Sequence, residues 1–115
     1  MRIIVTGGLG FIGSSVIKNL INKDNIQILN LDKSTYAANP EYLDFLKNSS
    51  KYKFQEGDIA DKELIEKLLK NFQPEVIMNL AAETHVDRSI NNPEKFIHTN
   101  ILGTFNLLEC TRHYL

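Results

Sequence analysis

Ile3-Ile4-Val5-Thr6-Gly7-Gly8-Leu9-Gly10-Phe11-Ile12-Gly13 opens on three β-branched apolar residues and then runs into glycines. Such a stretch reads as a buried strand, a turn stripped of side chains and the first turn of a helix. Gly7, Gly10 and Gly13 fall as G-x-x-G-x-x-G, a spacing variant of the dinucleotide-binding fingerprint. Gly7 lets the chain reverse at positive φ, where a Cβ would clash. Gly10 leaves room for a pyrophosphate to approach the backbone, and Gly13 lets the new helix pack tightly on the strand. The helix N-terminus would then offer unpaired N–H groups and the positive end of its dipole to an anion.

From that turn a helix is expected over about Phe11 to Asn22, with Ile12, Val16, Ile17, Leu20 and Ile21 as its apolar stripe. Ile26 to Leu31 reads as the second strand and ends in Asp32. Asp32 stands at about the spacing past the glycines expected of the acid that grips an adenosine ribose. A carboxylate there accepts two hydroxyl hydrogen bonds and repels a 2′-phosphate, which favours NAD over NADP. Lys33 beside it tempers that preference. Pro40 is placed to open a short helix to about Lys47, capped by Asn39. Tyr52 to Glu56 alternates as a third strand with one wetter face, and Gly57-Asp58-Ile59 follows its end. Asp61 is expected to cap a helix that turns Leu64, Ile65, Leu68 and Leu69 inward. Val76 to Leu80 is the fourth strand. A last helix is expected from Asn92-Pro93 to about Arg112, with Phe96, Ile97, Ile101, Phe105 and Leu108 on its apolar side. Gly103, inside that helix, marks a close packing contact.

This order is β-α-β-α-β-α-β-α. It implies an α/β fold, a Rossmann-type doubly wound parallel sheet in three αβα layers. These are its first four βα units, in strand order 3-2-1-4, with a ligand across the switch point. The length of 115 residues fits one domain. With 13 basic and 14 acidic residues, bulk charge does not drive binding to nucleic acid or to a membrane surface. No run of apolar residues is long enough to span a bilayer. The one cysteine, Cys110, reads as a small buried hydrophobe, and a cytoplasmic protein is expected.

The blocks T-G-G-L-G-F-I-G, L-D-K, G-D-I and L-A-A-E-T-H-V-D-R-S together resemble the extended short-chain dehydrogenases, along the whole chain. H-V-D-R-S, from His85 to Ser89, is particular to the nucleotide-sugar dehydratases among them. Thr84 stands where serine is commoner and supplies the same hydroxyl. The resemblance implies that NAD lays its pyrophosphate over Gly7, Gly10, Phe11 and Ile12. It implies that Asp32 holds the adenosine ribose with help from Lys33, Ser34 and Thr35. Asp58 and Ile59 would read the adenine edge, Leu80, Ala81 and Ala82 would line the middle of the cofactor, and Thr99 would support the cofactor loop. Thr84 would face the nicotinamide ribose and the sugar. His85 and Arg88 would orient the nucleotide-sugar substrate or a subunit partner. Equally, Arg88 would pair with Glu83 or Asp87 and merely anchor the loop. The resemblance also suggests a homodimer.

Dehydratases of this kind oxidise a sugar at C4 with a Tyr-x-x-x-Lys pair, in which the lysine lowers the pKa of the tyrosine so that it serves as base. None of the four tyrosines here, Tyr36, Tyr42, Tyr52 and Tyr114, has a lysine four positions on. The expectation is therefore the cofactor half of an NAD-dependent dehydratase, without its acid–base residues. Two alternatives stay open: an epimerase or decarboxylase acting on a UDP-sugar, against which H-V-D-R-S speaks, and a dinucleotide-binding module with no chemistry.

Overall fold

The computed structural model describes residues 1–33, 40–82 and 91–115. Four strands, β1 (Arg2–Thr6), β2 (Gln27–Asp32), β3 (Tyr52–Glu56) and β4 (Val76–Asn79), form a parallel sheet in the order β3-β2-β1-β4. This is the expected 3-2-1-4 arrangement. The register aligns the strand ends: Thr6 lies beside Leu31 and Asn79, and Asp32 beside Glu56. Gly7, Lys33, Asp58 and Leu80 therefore leave the sheet along one edge, where open α/β sheets bind ligands.

Successive strand residues point to opposite faces, and both faces are covered. Ile3, Val5 and Ile28 pack with Ile17 of α1 (Phe11–Leu20), with Ile21 just past its end and with Leu43 and Leu46. Ile4, Leu29 and Leu31 pack instead with Ile65 and Leu69 of α2 (Lys62–Phe72) and with Leu107 and Cys110. These two cores make the three layers. The Asp61 carboxylate accepts the Leu64 N–H at 3.2 Å and caps α2 as expected. Gln73, at φ 51° just past α2, ends that helix in the left-handed conformation.

Four expectations need correction. Ile12 is 67% exposed, so it is not part of the buried stripe of α1. Residues Pro40–Leu46 form a 3₁₀ segment broken at Leu43 (φ −122°, ψ 15°) rather than a short α-helix. The Asn39 cap falls outside the described residues. β3 spans the expected Tyr52–Glu56, but as an edge strand it has no dry face: none of its residues is fully buried, and Phe54 is 45% exposed. The last helix departs most. It runs as α3 (Pro93–Phe96), a π-helical stretch (Ile97–Gly103) and α4 (Thr104–Tyr114).

Its expected apolar side faces solvent: Ile97 is 50%, Ile101 60%, Phe105 62% and Leu108 65% exposed. The buried face is Gly103, Leu107 and Cys110, a second stripe at helical spacing. Gly103 decides between them. A Cβ there would stand 2.6 Å from Ile59 Cγ1, so only glycine lets the helix settle so close to Ile59, three residues past β3. The expected close contact at Gly103 is thus present. Asn92 lies at the N-cap position of α3, followed by Pro93, but its side chain makes no capping bond.

Candidate functional site

The glycine turn is held from below by two buried polar side chains of β2. Asn30 Oδ1 accepts the Gly8 N–H at 3.0 Å, and Asp32 Oδ2 accepts the Leu9 N–H at 2.8 Å. Asn30 is fully buried and Asp32 is 6% exposed. Burial of such groups is tolerable only with partners. Asn30 Nδ2 donates onward to the Tyr52 hydroxyl at 3.0 Å. Burial, opposed by that hydrogen bond and reinforced by the charge of Asp32, raises the Tyr52 phenol above its ordinary pKa, so it stays a neutral partner. The Gly7 N–H continues the ladder to Leu31 O at 2.8 Å.

Gly7 adopts φ +70°, and a Cβ there would meet Ala81 Cα at 2.7 Å. Turn and β4 exit are thus pressed together. Thr6 pins the same junction: its hydroxyl donates to Asn79 Oδ1 at 2.5 Å and accepts the Leu80 and Ala81 N–H groups at 3.0 and 3.1 Å. A Cβ at Gly13 would lie 2.1 Å from Gly7 O. The tight contact expected of Gly13 is therefore made with the turn itself rather than with the strand.

Helix α1 begins bare. Gly10 at its N-cap offers no side chain, and its first turn holds no acidic residue. The Ser14 N–H is the one that closes on Gly10 O, at 2.9 Å, so the N–H groups of Phe11 and Ile12 lie ahead of the helical ladder. Phe11 is 76% exposed over this end. At Gly10 the nearest atom to an added Cβ is Gly7 O at 3.3 Å, and among the described residues beyond its chain neighbours no other lies within 4 Å. The turn thus presents an open, electropositive N-terminus with space above it, suited to an anion.

Past β2 and β3, the Asp58 carboxylate gathers Lys33 and His98. Its Oδ2 lies 3.1 Å from Lys33 Nζ and 3.0 Å from His98 Nε2, while Oδ1 accepts the Ala60 N–H at 2.9 Å. Partial burial raises its pKa, but the Ala60 N–H, the Lys33 ammonium and His98 outweigh that and hold Asp58 below the usual carboxylate value. Lys33 is thus paired with Asp58 while its side chain stays 45% exposed. Ile59 is buried, and its carbonyl accepts from Asn106 Nδ2 at 2.7 Å.

The strand ends thus bring together Gly7, Gly10, Phe11, Ile12, Gly13, Asp32, Lys33, Asp58, Ile59, Leu80, Ala81 and Ala82 along one edge. Thr99 sits half-buried on the π-helical stretch. Ser34, Thr35, Thr84, His85 and Arg88 lie outside the described residues. Sequence reasoning missed Asn30, Thr6 and His98. Asn30 carried a signal, an amide amid an apolar strand, whereas His98 is 40 positions from Asp58 and carried none. Among the described residues no cluster of His, Cys, Asp and Glu side chains could hold a metal ion. Nor is any helix there long and apolar enough to cross a membrane.

A parallel 3-2-1-4 sheet with a glycine turn at the point where strand order reverses defines a Rossmann-type α/β unit. Its amino-terminal T-G-G-L-G-F-I-G and the run after β4 sort it further. The chain belongs to the GDP-mannose 4,6 dehydratase family, whose model matches residues 4–115. It is 51% identical over 114 residues to a dTDP-glucose 4,6-dehydratase of Escherichia coli, across 99% of this chain and 32% of that enzyme. Among solved structures, DesIV, a dTDP-glucose 4,6-dehydratase from Streptomyces venezuelae with NAD bound, superposes with a TM-score of 0.91 at 37% identity. That match covers 99% of this chain and 36% of that one. A UDP-glucose 4-epimerase of Thermotoga maritima with UDP-glucose reaches a TM-score of 0.87 at 34% identity, over 99% of this chain and 35% of the epimerase. The chain therefore spans about a third of the length of the relatives it matches.

Proposed function

We propose that residues 1–115 form the NAD-binding domain of a nucleotide-sugar 4,6-dehydratase whose substrate is dTDP-glucose and whose product is the 4-keto-6-deoxy sugar. The observation that carries this reading is the bare start of α1, where two N–H groups lie ahead of the helical ladder beneath an open Gly10. The dTDP-glucose dehydratases among the relatives support the choice of reaction.

The residues fit the cofactor as follows. Gly7, Gly10 and Gly13 keep the turn low, and the N–H groups of Phe11 and Ile12 receive the pyrophosphate. Asp32, with Lys33, Ser34 and Thr35, holds the adenosine ribose. Asp58 and the Ile59 backbone read the adenine, Leu80, Ala81 and Ala82 line the cofactor's middle, and Thr99 supports the loop over it. By the family resemblance, Thr84 would serve the nicotinamide ribose and the sugar, and His85 and Arg88 the substrate or a subunit partner. NAD held there would supply hydride-acceptor chemistry at the sugar's C4. The acid–base pair is not among these 115 residues, which contain no Tyr-x-x-x-Lys, so this part alone is inactive. The exposed stripe Ile97, Ile101, Phe105 and Leu108 supports a homodimer of the intact enzyme. A cytoplasmic setting agrees with the lone buried Cys110, whose thiol burial pushes up in pKa.

The test is nucleotide preference. Asp32→Ala in the intact protein narrows the preference for NAD over NADP, read by calorimetric titration of both. An unchanged ratio removes Asp32 from the ribose.

A further inference from the structure

The helix that follows β4 docks on the end of β3 through three successive contacts. Gly103 admits Ile59, Asn106 Nδ2 donates to Ile59 O at 2.7 Å, and His98 Nε2 meets Asp58 Oδ2 at 3.0 Å. The first two are packing and backbone satisfaction. The third reaches a carboxylate that its own backbone already engages. An ionised carboxylate accepts only, so His98 is the donor in this pair and carries its proton on Nε2. With Lys33 on the same oxygen and the Ala60 N–H on the other, three of the roughly four lone-pair directions of Asp58 are taken. Each partner comes from a different place in the fold: the end of β2, the turn after β3 and the π-helical stretch. The carboxylate is therefore fixed in orientation, with a single acceptor direction left among the described residues. Beside it opens a cleft of about 550 Å³, whose lining includes Lys33, Glu94, Lys95, His98 and Leu102.

We propose that His98 is a positioning residue for base recognition: by holding Asp58 Oδ2 against Lys33, it aims the remaining lone pair at the exocyclic amino group of the cofactor's purine. This rests on the reading that Asp58 and Ile59 receive the adenine. His98 itself touches the carboxylate and not the base. Its side chain is 46% exposed, so its replacement leaves the core intact.

The experiment compares NAD with nicotinamide hypoxanthine dinucleotide, which carries a carbonyl where adenine carries its amino group. Affinities of both are measured by calorimetry on the intact protein, its His98→Ala variant and its His98→Gln variant, whose amide keeps a donor. The parent is expected to prefer NAD by about tenfold or more, the worth of one hydrogen bond to a charged acceptor. His98→Ala brings that preference down to about threefold or less with hypoxanthine binding little changed, and His98→Gln restores most of it. If His98→Ala keeps the full preference, or weakens both dinucleotides equally, the positioning role is overturned while the adenine reading stands. A parent without any preference overturns the adenine reading itself, and this role with it.

Discussion

Gly7→Ala isolates what the turn demands of the sequence. The native φ of +70° lies in the left-handed region, which costs a residue with a Cβ about 1–2 kcal/mol. The new methyl would also stand 2.7 Å from Ala81 Cα, Ala81 N and Leu80 C, all backbone atoms that no rotamer change can move. Forcing such a contact apart adds about 1–3 kcal/mol. The sum, about 2–5 kcal/mol, is a large share of the roughly 5–15 kcal/mol that stabilises a typical protein. Gly10→Ala is the internal control. Gly10 has φ −76°, and its nearest obstacle is Gly7 O at 3.3 Å, so it should lose no more than about 1 kcal/mol. In urea denaturation of the intact protein followed by circular dichroism, with an m of about 2 kcal/mol per molar, Gly7→Ala moves the midpoint down by about 1–2.5 M. Gly10→Ala moves it by less than about 0.5 M. Equal shifts for the two variants would refute the account of the turn.

Two further outcomes follow from the packing and the charges. Ile17→Ala, at a fully buried position, should cost about 2–5 kcal/mol, whereas Ile12→Ala, at a 67% exposed one on the same helix, should cost under about 0.5 kcal/mol in the same denaturation assay. Asp58 is held below its ordinary carboxylate pKa in the fold, so its contribution is full above about pH 4 and is lost as pH falls through the lowered folded value. Asp58→Asn should therefore flatten the acid limb of the stability–pH curve between about pH 5 and pH 2, and identical limbs in parent and variant would contradict the pairing.

The strand order and the turn were legible because both rest on local signals. β-branched runs mark buried strands, and glycines mark where a Cβ cannot go. Asp61 was legible as a cap for the same reason. The face of the last helix was not. Its sequence carries two apolar stripes at helical spacing, Ile97-Ile101-Phe105-Leu108 and Gly103-Leu107-Cys110, and the bulkier one reads as the core. Periodicity records that a face is apolar, not which neighbour it meets. Gly103 decides here, because the absence of a side chain permits the approach of Ile59. The π-helical stretch has no sequence pattern of its own. Asn30 shows the converse: an amide within a buried strand signals a polar partner across the fold, but not which backbone N–H it will take. The His98–Asp58 pair joins residues 40 apart and exists only once the helix has docked.

The claim on which the rest stands is that a cofactor diphosphate sits on the N–H groups at the head of α1, over Gly10. Calorimetric titration of NAD into the intact Gly10→Val protein tests it most directly, since the isopropyl group would fill that approach while the extended backbone there (φ −76°, ψ 174°) accommodates valine. The account predicts a folded protein whose affinity for NAD has fallen by at least about tenfold. A folded variant that binds NAD as tightly as its parent would contradict it.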